Sequence, residues 1–211
     1  MNMLSMTTGS RPVRLALVLC AGLLAACAGP PDRIPVESRS EAQELAQGSA
    51  GPSLGPHHLS VPFFPDDKDQ CGPAALASIL TFWGIPTAPQ DLKKEIYMPR
   101  LGGTLPMDLL FAAKARGLKA EMYTGSLDDL KAELEAGRPL VAFLNLGNKL
   151  FPQGHYVVVT GYDEERQGVY IHSGQTRDEF VPYNRFIRSW GKTGLWTLLV
   201  QPHWDREKAS A

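Results

Sequence analysis

The sequence predicts an α+β domain, with an N-terminal helical lobe packed on a C-terminal antiparallel β-sheet and a cleft between them. Three observations predict it. Apolar residues between Cys71 and Ala136 recur at helical spacing, punctuated by Gly and Pro. After Pro139 the runs shorten, become rich in β-branched and aromatic residues, and alternate with turn residues. All eight Phe, six Tyr and four Trp lie at or beyond Phe63, which fixes where a core can begin.

Ahead of that core, Arg11 and Arg14 precede an apolar run, Leu15 to Ala26, and no acidic residue occurs before Asp32. The run is too short for a permanent membrane span and reads as a secretory signal over residues 1–26. Its end, Leu24, Ala25, Ala26 and Cys27, resembles the bacterial lipobox, which implies lipidation at Cys27 and membrane attachment through that lipid. The alternative is ordinary cleavage after Ala28, with Ala26 and Ala28 as the small-residue pair. Ala28 after Cys27 resembles lipoproteins sent to an outer membrane. The expected location is therefore exported and lipid-anchored in the cell envelope, on the outer membrane facing the periplasm.

Loss of residues 1–26 removes two of the 21 basic residues and none of the 22 acidic ones, so the net charge moves from −1 to −3. No basic block with interleaved aromatics and no nucleotide-binding segment is present, so neither nucleic acid nor nucleotide is an expected partner. Residues 27–57 are rich in Pro, Gly, Ser, Glu and Gln and read as a disordered tether with a reach of roughly 30 Å. A short helix over Ser40 to Ala46 would pack on nothing. The folded domain is expected over residues 58–204, followed by a tail at 205–211.

Within the domain, Ser60 to Phe64 reads as an extended lead-in and Cys71 to Trp83 as a helix stopped by Gly84 and Pro86. Thr87 to Tyr97 and Thr104 to Arg116 read as further helices, with Pro106 in a first turn and Gly117 as a stop. Lys119 to Tyr123 is a strand candidate. Ser126 to Ala136 reads as a helix with Ser126 as its N-cap. Strands are expected over Leu140 to Leu146, Tyr156 to Tyr162, Val169 to His172, Glu179 to Tyr183 and Leu195 to Val200. Asn184 to Trp190 reads as a short helix between the last two strands.

Removal of the signal and lipidation of Cys27 leave Cys71 as the one free thiol, so it has no partner for an internal disulfide. At a helix start, unpaired N–H groups and the positive end of the dipole favour thiolate over thiol. Buried, inert cysteine is the commoner fate, but Asp69 and Gln70 are polar neighbours. Of the five histidines, His57, His58 and His203 read as surface residues, whereas His155 opens the most apolar strand and His172 lies on the next. His155 is the favoured general acid and base for a Cys71 nucleophile. Phe63 and Phe64, just upstream of the cysteine, are candidates for lining the cleft. Cys71, His155 and His172 form no spaced ligand motif, so neither metal nor cofactor is expected.

DQCGPAALASIL at residues 69–80 followed by GHYVVVTGYD at residues 154–163 resembles the bacteriocin-processing, double-glycine-leader cysteine peptidases of the papain-like clan. Freestanding exported lipoproteins of that family are the most similar. The resemblance spans about residues 59–200. It implies a papain-like fold, a peptide or protein substrate, Cys71 as nucleophile and His155 as its imidazole partner. Where the family carries an oxyanion-hole Gln ahead of the cysteine, this sequence has Pro65 and Asp66, with Gln70 as a substitute candidate. Where the family carries an orienting Asp or Asn after the histidine, it has Ile171, His172 and Ser173. Asp163 and Asp178 stand too near the turn or too far along. These departures leave two readings: a lipid-anchored cysteine peptidase, or a catalytically impaired peptide-binding module. Acyl transfer to an amine would share the covalent intermediate.

Overall fold

The computed structural model describes residues 57–66 and 69–203. The signal, Cys27, the tether up to residue 56, the segment Ser40 to Ala46 and the tail lie outside the described residues.

Helix α1 (Cys71–Phe82) is the centre of the helical layer, because every residue from Gly72 to Leu80 is buried. A helix that is apolar all round must be packed on all sides. Burying a side chain such as Leu76 stabilises the fold by roughly 2–3 kcal/mol. α1 ends where Gly84 turns left-handed at φ 79°. Trp83 then anchors the exit, its Nε1 donating to the Val200 carbonyl at 2.7 Å.

Helices α2 (Pro89–Ile96) and α3 (Pro106–Ala115) both open on proline, whose missing N–H costs nothing in a first turn. Between them lies a hairpin absent from the sequence reading, β1 (Tyr97–Met98) and β2 (Gly103–Thr104), which pairs Tyr97 with Thr104. Strands of two residues carry no readable period. The flanking helices expected from sequence therefore each run one residue into the hairpin, to Tyr97 and from Thr104.

Strand β3 (Leu118–Thr124) leads to helix α4 (Leu127–Glu135), capped as expected by Ser126, whose Oγ accepts from the Asp129 N–H at 3.0 Å. Then follow β4 (Leu140–Asn145), β5 (Gly154–Asp163), β6 (Gly168–Ser173), β7 (Thr176–Pro182), helix α5 (Tyr183–Gly191) and β8 (Trp196–Pro202). Tyr183 belongs to α5 rather than to the preceding strand. The six long strands form one antiparallel sheet in the order β3-β8-β4-β5-β6-β7, so the last strand is inserted between β3 and β4.

Alternation along the sheet gives it two buried faces. Val141, Tyr156, Val158 and Leu198 point into a core shared with α1, α2 and α3. Leu140, Ala142, Val157 and Val159 point into a second core with Trp190, Phe186 and Leu130 of α5 and α4. Residues one apart on a strand face opposite ways, so a single apolar run such as Tyr156 to Val159 supplies both layers. Among the described residues no helix is long and apolar enough to cross a membrane.

The lead-in segment is fastened to the sheet rather than lying free. The Leu59 N–H donates to the Thr160 carbonyl at 2.8 Å, and Val61 and Phe64 are buried. His57 stacks on Tyr162 with ring centroids 4.6 Å apart. His58 is not a surface residue: its side chain is 13% exposed and its Nε2 lies 2.9 Å from the Asp178 carboxylate. Sequence position alone places it at a loose boundary and gives Asp178 no visible role.

Candidate active site

Cys71 opens α1, and two of that turn's N–H groups, those of Cys71 and Gly72, have no partner within the helix. Pro73 has no N–H, and the Ala74 N–H already donates to the Gln70 carbonyl at 2.9 Å. Asp69 precedes this turn in a left-handed conformation, φ 70°, which aspartate tolerates better than most residues. Gly72 is required by its neighbour, since a Cβ there would stand 2.9 Å from Thr104 Cβ. The close neighbour is the β1–β2 hairpin.

His155 is the second residue of β5, opposite Leu144 of β4. Gly154 before it admits the Phe143 ring, whose Cζ lies 2.6 Å from where a Cβ would be. Cys71 Sγ, a ring nitrogen of His155 and a carboxylate oxygen of Asp66 all lie within 4.8 Å of one another. His155 Nε2 lies 3.1 Å from Ser173 Oγ. These side chains come from the lead-in loop, α1, β5 and β6. They converge where the N-terminus of α1 meets the mouths of two strands.

His172 is engaged elsewhere. Its Nδ1 accepts from the Asp178 N–H at 3.2 Å and its Nε2 donates to the Val61 carbonyl at 3.0 Å, which fixes one neutral tautomer. It is therefore a buried brace for the lead-in segment, not an orienting partner for His155. Gln70 makes no capping bond with its side chain, and the acidic residues on the cleft wall beside Cys71 are Asp66 and Asp69. The cleft has a volume of about 800 Å³ and is also lined by Leu101, Leu105 and Phe143. Phe63 and Phe64 line a separate space of about 10 Å³ behind Cys71, barely enough for one water.

Burial is the largest influence on both Cys71 and His155. It pushes the Cys71 thiol above its ordinary 9.0, against hydrogen bonds from the Tyr156, Gly72 and Cys71 backbones, and the Asp66 charge pushes the same way. Burial also holds the His155 imidazole below its ordinary 6.5, with Asp66 and Glu179 pulling back up. The resting pair at neutral pH is thus thiol and neutral imidazole. The sequence expectation of a dipole-stabilised thiolate is corrected on this point, because desolvation outweighs the helix terminus.

In the sequence Asp66 stands out only as an oxyanion-hole position. In the fold it also completes a set of donors with Cys71 and His155, from parts of the chain that no ligand spacing connects. The signal that could have found it is proximity in sequence, five residues before the cysteine.

Residues 58–195 match the model of the Peptidase_C39 like family. The chain belongs to that family. A solved Peptidase_C39 relative, a double glycine motif protease from an AMS/PCAT transporter in complex with its leader peptide, is 25% identical with a TM-score of 0.56. That match covers 71% of this chain and 96% of the other. The peptidase domain of Streptococcus ComA, a bi-functional ABC transporter of a quorum sensing pathway, is 22% identical with a TM-score of 0.56, covering 70% and 100%. A C39-like peptidase from Bacillus anthracis is 24% identical with a TM-score of 0.55, covering 66% and 94%. None of the curated proteins matches the chain. The fold is accordingly the papain-like α+β fold of the Peptidase_C39 proteins.

Proposed function

We propose that the chain is a cysteine peptidase that cuts peptide bonds through Cys71 and His155. The observation that carries the reading is the approach of the Cys71 sulfur to the His155 imidazole inside an open cleft, within 4.8 Å. With Nε2 turned to Ser173, Nδ1 is the nitrogen left for the sulfur. Neutral imidazole is the form that can accept the thiol proton as the sulfur attacks a carbonyl carbon. The N–H groups of Cys71 and Gly72, which face the resting sulfur, are the donors that would turn to the oxygen as it becomes negative. His155 then returns the proton to the leaving amine, leaving a thioester that water opens by the reverse proton path.

A peptide substrate is supported by the leader peptide bound to the transporter-derived relative. Attachment through lipid at Cys27, after export and on the periplasmic side of an outer membrane, is part of the same proposal. It is supported by the sequence pattern Leu24, Ala25, Ala26 and Cys27. A Cys27→Ser variant that still incorporates labelled fatty acid removes that element.

The test of catalysis is cleavage of a peptide library, double-glycine leaders included, by purified protein and by Cys71→Ala and His155→Ala variants. Cleavage by wild type and by neither variant is the expected result. Cleavage surviving in Cys71→Ala removes the reading. One observation favours the second reading, an impaired peptide-binding module: the Asp66 carboxylate stands beside the sulfur, where it opposes both thiolate and oxyanion. Peptides that bind wild type and Cys71→Ala equally, with none cut, would establish it.

A further inference from the structure

We propose that Asp66, Cys71 and His155 form a Zn²⁺ site that holds the cysteine in a reversibly blocked state. Only the consequence, inhibition, rests on the peptidase reading. The donors themselves do not.

A thiolate sulfur, an imidazole nitrogen and a carboxylate oxygen are the donor types by which proteins bind zinc. Bond lengths of about 2.0–2.3 Å at tetrahedral angles place the donors of one zinc ion about 3.3–3.6 Å apart. The three atoms here already lie within 4.8 Å of one another, so side-chain rotation of roughly an ångström closes the set. All three residues line the cleft, which leaves a fourth position open to water or a substrate carbonyl.

The surroundings hold the backbone of Asp66 and the ring of His155 in place. The Asp66 N–H donates to the Gly174 carbonyl at 3.0 Å, and its own carbonyl accepts from Gln175 Nε2. Ser173 Oγ holds the far nitrogen of the imidazole at 3.1 Å, the kind of outer contact that fixes a metal-binding histidine. A carboxylate facing a nucleophilic sulfur hinders attack on a carbonyl, but it contributes directly once a divalent cation sits between them. On binding, the Cys71 S–H bond ionises, its proton passes to solvent, and the sulfur and imidazole lone pairs both go to the metal with no change in oxidation state. Neither nucleophile nor base is then available until a chelator removes the ion.

The experiment titrates the purified protein with Co²⁺ and Zn²⁺. Co²⁺ should give a thiolate-to-metal charge-transfer band that Zn²⁺ displaces and that Cys71→Ser lacks. Zn²⁺ should protect Cys71 from iodoacetamide, and EDTA should restore labelling. Asp66→Asn should need at least about tenfold more Zn²⁺ for the same protection, a loss that even outer contacts of a metal can cause. No band with wild type, or equal protection of wild type and Asp66→Asn, overturns the site. Peptide cleavage is scored apart from these: a chain that gives the band but cuts nothing keeps the site and loses the peptidase reading. A chain that cuts equally well in Zn²⁺ and in EDTA, with no band, loses the site alone.

Discussion

His155 Nε2 and Ser173 Oγ lie 3.1 Å apart, joining the mouth of β5 to the last residue of β6. A neutral hydroxyl thus contacts the imidazole at the position where a carboxylate would stabilise its protonated form.

Replacing that hydroxyl should show in turnover more than in binding. Ser173→Ala removes a neutral hydrogen bond, worth about 1 kcal/mol, so kcat should fall roughly fivefold with KM little changed. Ser173→Asp should raise the His155 pKa, detectable by NMR titration of its ring protons. An unmoved imidazole in Ser173→Asp would falsify the contact.

Alkylation of Cys71 by iodoacetamide should be slower than that of free cysteine at about pH 7 and should climb with pH through a value above 9.0. Asp66→Asn removes a negative charge that disfavours thiolate, so its labelling should be faster at every pH below that value. Rates measured by mass spectrometry across pH decide this. Labelling of wild type at or above the free-thiol rate counts against it.

Stability should drop on acidification. His155 and His172 are both held below their ordinary 6.5 by burial, so below that pH the unfolded chain takes up protons that the fold refuses. Their contribution is full above 6.5 and is lost as pH falls from there through the lower folded values. Asp178 is also lowered: burial, its largest influence, pushes up, and the hydrogen bond from His58 with the charges of His172 and His58 outweighs it. Its contribution is present above 3.8 and is lost as pH falls below that. Urea midpoints between about pH 8 and pH 5 should decline in wild type and less steeply in His172→Gln.

Gly72→Ala should destabilise the fold by about 1–3 kcal/mol, because the new methyl meets Thr104 Cβ at 2.9 Å. Adding Thr104→Gly, which removes that atom, should restore part of the loss and leave the pair non-additive. Additive thermal midpoints in the double variant argue against the contact.

The fold class and the Cys71 and His155 positions were legible in the sequence, because both rest on local signals. A helical period follows the cysteine, and a β-branched run follows the histidine. The β1–β2 hairpin was not, its strands being two residues long. Nor was the bond between His58 and Asp178, which joins residues 120 positions apart through the pairing of the lead-in with the sheet. The state of the thiol is hidden from the sequence for a related reason. A dipole can be read from a helix start, whereas the depth to which Tyr156 and Val158 bury that start is a property of the assembled layers.

Helix α1 joins the Cys71 sulfur to a thoroughly enclosed stretch of the core, with Leu76, Ala77, Ile79 and Leu80 fully sealed from solvent. The candidate site and the core here share one part, so the helix that carries Cys71 offers evolution little freedom to drift. New preferences among ligands can be acquired instead at the rim, where Leu101 and Leu105 remain 60% and 41% exposed and can be exchanged without disturbing the frame.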